Sequence, residues 1–305
     1  MNKEEVATKL QSIINNSYYL RVSDSHPLEL YLGKSENGLY TLRFNGDFDV
    51  KKISGSKVME IKQVKTTNFK SLLFCLNSNE FFSLFCDFCA DIISSTEKYE
   101  GDNAYAEIIN RYNQWKKMFY SSSKPLNENE ILGLIGELLF LQNYAIKNYG
   151  GTDGLNGWSG PEPTHKDFSF NENWFEIKSI NSFKNSVLIS SIEQLDGDGN
   201  GYLIVYKMEK MSPNFNGLTL NKLVKQILNT LELESEKDLF IEKLKKVGYS
   251  YNDCYDDSVY NFISLDNYII KDKFPRLRAN QLPCGIGRVQ YEILLPLIET
   301  FKVEL

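Results

Sequence analysis

The sequence predicts a mixed α/β protein of the α+β type, and three observations carry that expectation. Five short segments between residues 18 and 76 have strand character and are separated by the turn signals Gly33, Asn37-Gly38, Asn45-Gly46 and Gly55. Two strongly apolar helical patterns follow. Between residues 130 and 206 an apolar helix, a hairpin pattern and a further apolar strand come in succession. At 305 residues the chain has room for one large or two ordinary domains, and its 19 Phe and 18 Tyr supply a substantial core.

Residues 3–15 predict a short amphipathic helix with Val6, Leu10, Ile13 and Ile14 on one side. The strand-like segments are Tyr18–Val22, Leu28–Leu32, Leu39–Phe44, Val58–Lys65 and Ser71–Leu76, which suit a small antiparallel sheet. Glu80–Ser95 is a helix apolar almost all round, with Phe81, Phe82, Leu84, Phe85, Phe88 and Ile92. Cys86 and Cys89 share one face of it, but no second cysteine pair completes a zinc site, so core packing is the expectation. A second helix spans about Tyr105 to Tyr120.

The polar run Ser121-Ser122-Ser123-Lys124-Pro125 marks a boundary, dividing an N-terminal sheet-and-helix region, 1–122, from a second domain, 123–305. Asn127 and Glu130 form a capping-box pair opening a helix that runs to about Tyr149 and stops at Gly150-Gly151. Residues 150–163, rich in glycine, read as loop. His165–Phe170 and Trp174–Ile180 are the strands of a hairpin turning at Asn171-Glu172-Asn173. Val187–Leu195 reads as a strand and a helix start, and Gly201–Tyr206 as a buried strand. Leu218–Leu233 and Glu236–Val247 are helices, the second with Lys237, Lys243, Lys245 and Lys246 on an expected solvated face. Residues 259–271 alternate as a strand, and Val289–Leu295 is the last one.

Composition excludes several classes. A net charge of −6 provides no global basic footprint for nucleic acid, although a local stripe can hide in the sum. Five cysteines and a polar N-terminus lead to the expectation of reduced thiols in a cytoplasm. No apolar run approaches the roughly 18 residues of a membrane span. Only two histidines, His26 and His165, are present, and no G-x-S-x-G elbow points to a serine hydrolase.

Glu137 sits among Ile131, Leu132, Leu134, Ile135, Leu138, Leu139, Phe140 and Leu141, where an unpaired carboxylate is costly to bury. Either it has a cation or strong donors, or it reaches solvent along a narrow strip with Gln142 and Asn143. Gly133 and Gly136 on the same side suggest close approach of another backbone. In the second hairpin strand, alternation sets Trp174, Glu176, Lys178 and Ile180 on one face, with Glu176 and Lys178 about 7 Å apart. Asp167 lies at the far end of the partner strand, and with suitable curvature it meets Glu176. Two such carboxylates bind a hard cation through oxygen, and Lys178 can orient a water and offset developing negative charge. Glu60-Ile61-Lys62, with Asp47 and Asp49 upstream, repeats the tripeptide but lacks the buried helix and apolar strand, so a charged pair on a surface strand is expected there.

Gly133-Leu134-Ile135-Gly136-Glu137-Leu138, His165-Lys166-Asp167-Phe168, Phe175-Glu176-Ile177-Lys178-Ser179 and Ser190-Ser191-Ile192-Glu193-Gln194-Leu195 resemble the PD-(D/E)XK motif proteins. These belong to the restriction-endonuclease-like superfamily, here through a bacterial family usually encoded in restriction and phage-defence clusters. The resemblance covers most of the chain, including Phe274-Pro275-Arg276-Leu277 and Leu282-Pro283-Cys284-Gly285-Ile286. It implies a mixed sheet flanked by helices and metal-dependent phosphodiester cleavage. It implies Asp167 and Glu176 as metal ligands, Glu137 as an accessory carboxylate, Lys178 as the catalytic lysine and Gln194 as a glutamine near the site. Lys166 stands where the family's name has proline.

The resulting expectation is a cytoplasmic DNA endonuclease using Mg²⁺, or Mn²⁺ in its place, within a restriction or defence system. Partner subunits and a dimer are compatible with it. Lys271, Lys273, Arg276, Arg278 and Arg288 form either a phosphate-contacting surface or a plain surface loop. The rival functions are a non-catalytic DNA-binding or scaffolding subunit and a metal-dependent phosphohydrolase of nucleotides.

Overall fold

In the computed structural model, residues 1–65, 69–99, 102–119, 125–162 and 165–305 are described. Asn2 caps the first helix, α1 (Lys3–Gln11), by accepting from the Glu5 backbone while the Glu5 side chain accepts from the Asn2 amide. The helix is shorter than 3–15. Ser12 ends it, Ser17 has φ 58°, and the chain turns away so that Ile13 is buried while Ile14 is 85% exposed.

Five antiparallel strands follow: β1 (Tyr19–Arg21), β2 (Glu29–Lys34), β3 (Tyr40–Gly46), β4 (Met59–Lys65) and β5 (Lys70–Leu76), in the order β1-β2-β3-β5-β4. Leu30, Leu32, Leu42, Phe44, Leu72 and Phe74 alternate onto one buried face. Helices α2 (Phe82–Ser95) and α3 (Asp102–Met118) pack on it, with Phe74 against Phe88 at 5.1 Å and against Tyr112 at 5.2 Å. Cys86 and Cys89 are fully buried in this core, as their helix predicts. On β4, Glu60 and Lys62 pair at 3.1 Å with both side chains more than a third exposed, as expected of a surface pair.

The chain forms two units, Met1–Ser121 and Ser122–Leu305. The polar run expected as a linker lies, at Ser121 to Lys124, outside the described residues.

In the second unit the Asn127–Glu130 capping box opens α4 (Glu128–Phe140). A π-type turn, Leu141–Ala145, leads into α5 (Ile146–Gly157). Gly150 adopts φ 81°, so the first helical run stops where glycine predicts. The expected loop after it is wrong as far as Gly157, because helix resumes. The glycines there serve packing: a Cβ on Gly154 would lie 2.9 Å from the Ala145 backbone, and Leu155 is fully buried.

The remaining elements are β6 (Phe168–Phe170), β7 (Asn173–Asn181), β8 (Ser186–Ile189), β9 (Asn200–Met211), α6 (Leu220–Thr230), α7 (Glu234–Lys246), β10 (Val259–Ile270) and β11 (Tyr291–Leu294). They form a mixed sheet of order β10-β9-β7-β6, with β7 and β9 parallel and the other pairs antiparallel, and a separate β8–β11 ladder. On one face Phe175 packs on Phe140 at 4.9 Å and Tyr144 at 5.2 Å. On the other, Trp174, Ile180, Leu203, Val205 and Tyr268 share a core with Val187, Ile189, Ile293 and Leu295. This is the mixed α+β core predicted, and β7 is its doubly covered strand.

The lysines of α7 correct a second expectation. Lys237 is 8% and Lys243 3% exposed, and Lys243 donates to the Trp158 carbonyl and to Glu162 Oε1. Only Lys245 and Lys246 face solvent. No helix among the described residues is long and apolar enough to cross a membrane.

Candidate active site

The hairpin register sets the first pair of acids. Phe168 lies opposite Phe175, so the residue before β6, Asp167, falls across from Glu176. Asp167 Oδ2 accepts the Ile177 amide at 2.7 Å, which fixes the carboxylate against β7. Its carbonyl accepts two further amides, from Ser159 at 2.8 Å and Gly160 at 2.9 Å. Residues 158–160 are therefore strapped to the same corner, and Trp158 bridges to Phe168.

The third acid arrives from α4. A Cβ on Gly136 would lie 1.9 Å from Ser179 Oγ, so this glycine lets the helix settle on β7. The close neighbour is a side chain, not the backbone expected, and a Cβ on Gly133 would have nothing within 4 Å. The next residue, Glu137, accepts a hydrogen bond from the buried indole of Trp158, Nε1 to Oε2, at 2.8 Å. Of the two readings open for Glu137, the strong donor is therefore the one observed, although the side chain keeps partial exposure. Glu137 Oε2 and Asp167 Oδ1 lie 2.7 and 3.5 Å from the single point where a Cβ on Gly160 would stand. Gly160 therefore stands against both carboxylates, and a side chain there would crowd Glu137.

Glu176 is 1% exposed. Its Oε1 faces Lys178 Nζ at 2.8 Å, and Oε2 has no hydrogen-bond partner among the described residues. Lys178 Nζ also donates to Gln194 Oε1 at 3.3 Å, and that oxygen accepts the Ser190 amide at 2.7 Å. Gln194 lies on a 3-10 turn, Ile192–Gln194, where a helix start was expected. Lys178 thus joins Glu176 to Gln194, Asp167 stands across the hairpin from Glu176, and Glu137 stands near Asp167 at Gly160.

Their titration reflects crowding. Burial, then the Asp167 charge, pushes the Glu176 carboxyl up to about 8, with Lys178 opposing. Burial, then Asp167, likewise pushes Glu137 up to about 8 against the Trp158 hydrogen bond. Asp167 is raised by burial, against Lys178 and the Ile177 amide. Asp167 and Glu176 face each other across the hairpin with few donors, and their carboxylates could offer oxygens to a hard cation, with Glu137 beside Asp167. The orphaned Oε2 of Glu176 is an acceptor that such an ion would satisfy.

Four residues of this corner were given no role by the sequence: Trp158, Gly160, Ser190 and Lys166. Trp158 carried one signal, a large aromatic inside a glycine-rich stretch. Lys166 carried another, a cation adjacent in sequence to a predicted acid. Its Nζ donates to the carbonyls of Glu193, Gln194 (2.9 Å) and Asp196 (3.0 Å), and lies 3.7 Å from the centre of the Trp174 ring. Burial lowers its ammonium to about 8. Of the basic segment 271–288, Arg276 donates to the Leu195 carbonyl at 2.7 Å. Neither histidine joins the group: His26 is buried in the first unit between Ile93 O and the Leu28 amide, and His165 is exposed.

A family model described as "Putative PD-(D/E)XK family member, (DUF4420)" matches residues 2–296, nearly the whole chain. No curated protein and no solved structure matches the chain.

Proposed function

The chain belongs to this PD-(D/E)XK family, whose fold is nuclease-like, and on that premise we propose that it is a Mg²⁺-dependent DNA endonuclease of a bacterial restriction or phage-defence system. The observation that carries the reading is the convergence of Glu137, Asp167 and Glu176 beside Lys178, with Glu176 Oε2 buried and unpartnered. A surface charge cluster without catalytic purpose would not bury a carboxylate oxygen and leave it without a donor.

In this reading Asp167 and Glu176 hold the ion, with Glu137 as the accessory carboxylate. A divalent cation held there would supply Lewis acidity toward the scissile phosphate and toward water. Lys178 is close enough to Glu176 to share the site, and its ammonium orients the attacking water and offsets charge growing on the phosphate oxygens. Gln194 accepts a second hydrogen bond from Lys178, which helps hold the ammonium beside Glu176. Trp158 holds Glu137 in a single orientation. Attack is in line on phosphorus, and no covalent intermediate is required. Arg276 and its basic neighbours are candidates for backbone contacts on the DNA.

A non-catalytic scaffolding role has one observation in its favour, the net charge of −6. Plasmid DNA incubated with Mg²⁺ or Mn²⁺ separates the two. Wild type and Glu60→Ala should cleave alike, within about twofold, because the Glu60–Lys62 pair is an exposed surface pair. Glu176→Ala, with its circular dichroism unchanged, should lose cleavage. Equal cleavage by Glu176→Ala and wild type would end the proposal.

A further inference from the structure

Lys166 occupies the position that names the family's motif, and its hydrogen bonds go to backbone carbonyls while its charge still acts on Glu176 and Asp167. An ammonium has three donors, and here the carbonyls of Glu193, Gln194 and Asp196 receive them while the Trp174 ring lies against the charge. Those carbonyls lie at the end of the 3-10 turn Ile192–Gln194 and just beyond it, where helical carbonyls have no partner within the turn. Lys166 immediately precedes Asp167 at the entry to β6 and Trp174 lies on β7, so the turn is pinned to the hairpin that carries Asp167, Glu176 and Lys178.

We propose that Lys166 is a positioning residue that holds the 192–196 turn in the place where Gln194 meets Lys178. The clamp acts on backbone, and its effect reaches the site through one side chain. Gln194 Oε1 accepts from both Ser190 N and Lys178 Nζ, so its location decides where the lysine ammonium points. Arg276 reinforces the turn from the other side by donating to Leu195 O. The kinetic part of this proposal rests on Lys178 acting in DNA cleavage; the structural part does not.

The test has two arms on the full chain. In the first, amide hydrogen exchange is compared between wild type, Lys166→Met and Gln194→Ala, without metal. Lys166→Met should speed exchange of Ser190 about tenfold, the loss of roughly one hydrogen bond's protection, while β7 and β9 keep theirs. Unchanged exchange at Ser190 and across 192–196 overturns the clamp. In the second arm, Lys166→Met should lower kcat for plasmid cleavage about tenfold with KM within about twofold, as second-sphere orientation losses do. The double variant with Gln194→Ala should be no worse than the poorer single. A rise in KM with kcat intact means that Lys166 contacts the DNA backbone and overturns positioning. If wild type cleaves nothing, the nuclease reading fails and the exchange arm still decides the clamp. If Lys166→Met does not fold, Lys166→Arg is read in the same two arms: it keeps the charge, but its planar fork cannot aim three donors at three converging carbonyls.

Discussion

Replacing Glu176 by glutamine keeps the shape of the side chain and removes its titration. Glu176 is 1% exposed, and its carboxyl is raised to about 8, first by burial and then by the Asp167 charge. In the unfolded chain a glutamate titrates near about 4.3. Between those two values the folded protein holds a proton that the unfolded chain has released. Unfolding then becomes easier as pH rises, at about 1.4 kcal/mol per pH unit for one group in this window. The stabilisation is fully present below about pH 4.3 and is lost as pH climbs through about 8. Urea unfolding in EDTA, at three pH values from about 5.5 to 7.5, measures it. Across that span wild type should lose about 2–3 kcal/mol more than Glu176→Gln. A divalent cation should reverse the loss: at ten times its Kd it stabilises the folded wild type by about 1.4 kcal/mol, and the variant by less. Parallel pH curves for the two proteins, with equal response to metal, would refute the idea that Glu176 is a buried, underpaired carboxylate.

Two further substitutions test neighbouring parts of the site. Gly160→Ala inserts a methyl 2.7 Å from Glu137 Oε2 and 3.5 Å from Asp167 Oδ1, and calorimetry should show Mn²⁺ affinity reduced at least about tenfold with a thermal midpoint near wild type. Retained Mn²⁺ affinity would mean that the ion does not sit between those two carboxylates. Lys243→Met leaves the Trp158 carbonyl without its donor in a buried position and should destabilise by about 1–3 kcal/mol in denaturant unfolding, whereas Lys245→Met, on the solvent side of the same helix, should stay within about 0.5 kcal/mol. Equal effects of the two lysine changes would return α7 to the solvated face that its sequence suggested.

The features legible in the sequence were those written in local pattern. Strand character between turn signals marked all five strands of the first sheet, the Asn127–Glu130 box marked the start of α4, and the Gly150-Gly151 pair marked the first helical stop. The alternation of Trp174, Glu176, Lys178 and Ile180 onto one face, with Phe175 on the other, also follows from strand geometry alone. Local pattern could not say what a glycine was for. Gly154 and Gly157 resemble loop residues in sequence and are packing residues in the fold, because the surface that crowds them comes from Ala145 and Phe170. It could not separate Lys243 from Lys245 either, since their contrast depends on where Trp158 and Glu162 arrive.

The chain's own order of residues determined which acids were available and which strand carried Glu176 with Lys178, because side-chain direction along a strand needs no partner. The decision that Glu137, Asp167 and Glu176 share one corner belongs to tertiary structure. It required the β6–β7 register to set Asp167 opposite Glu176, Gly136 to let α4 settle against Ser179, and Trp158 to hold Glu137 from a segment 21 residues away. A carboxylate's cost or use depends on its solvent and its neighbours, and both are properties of the folded chain.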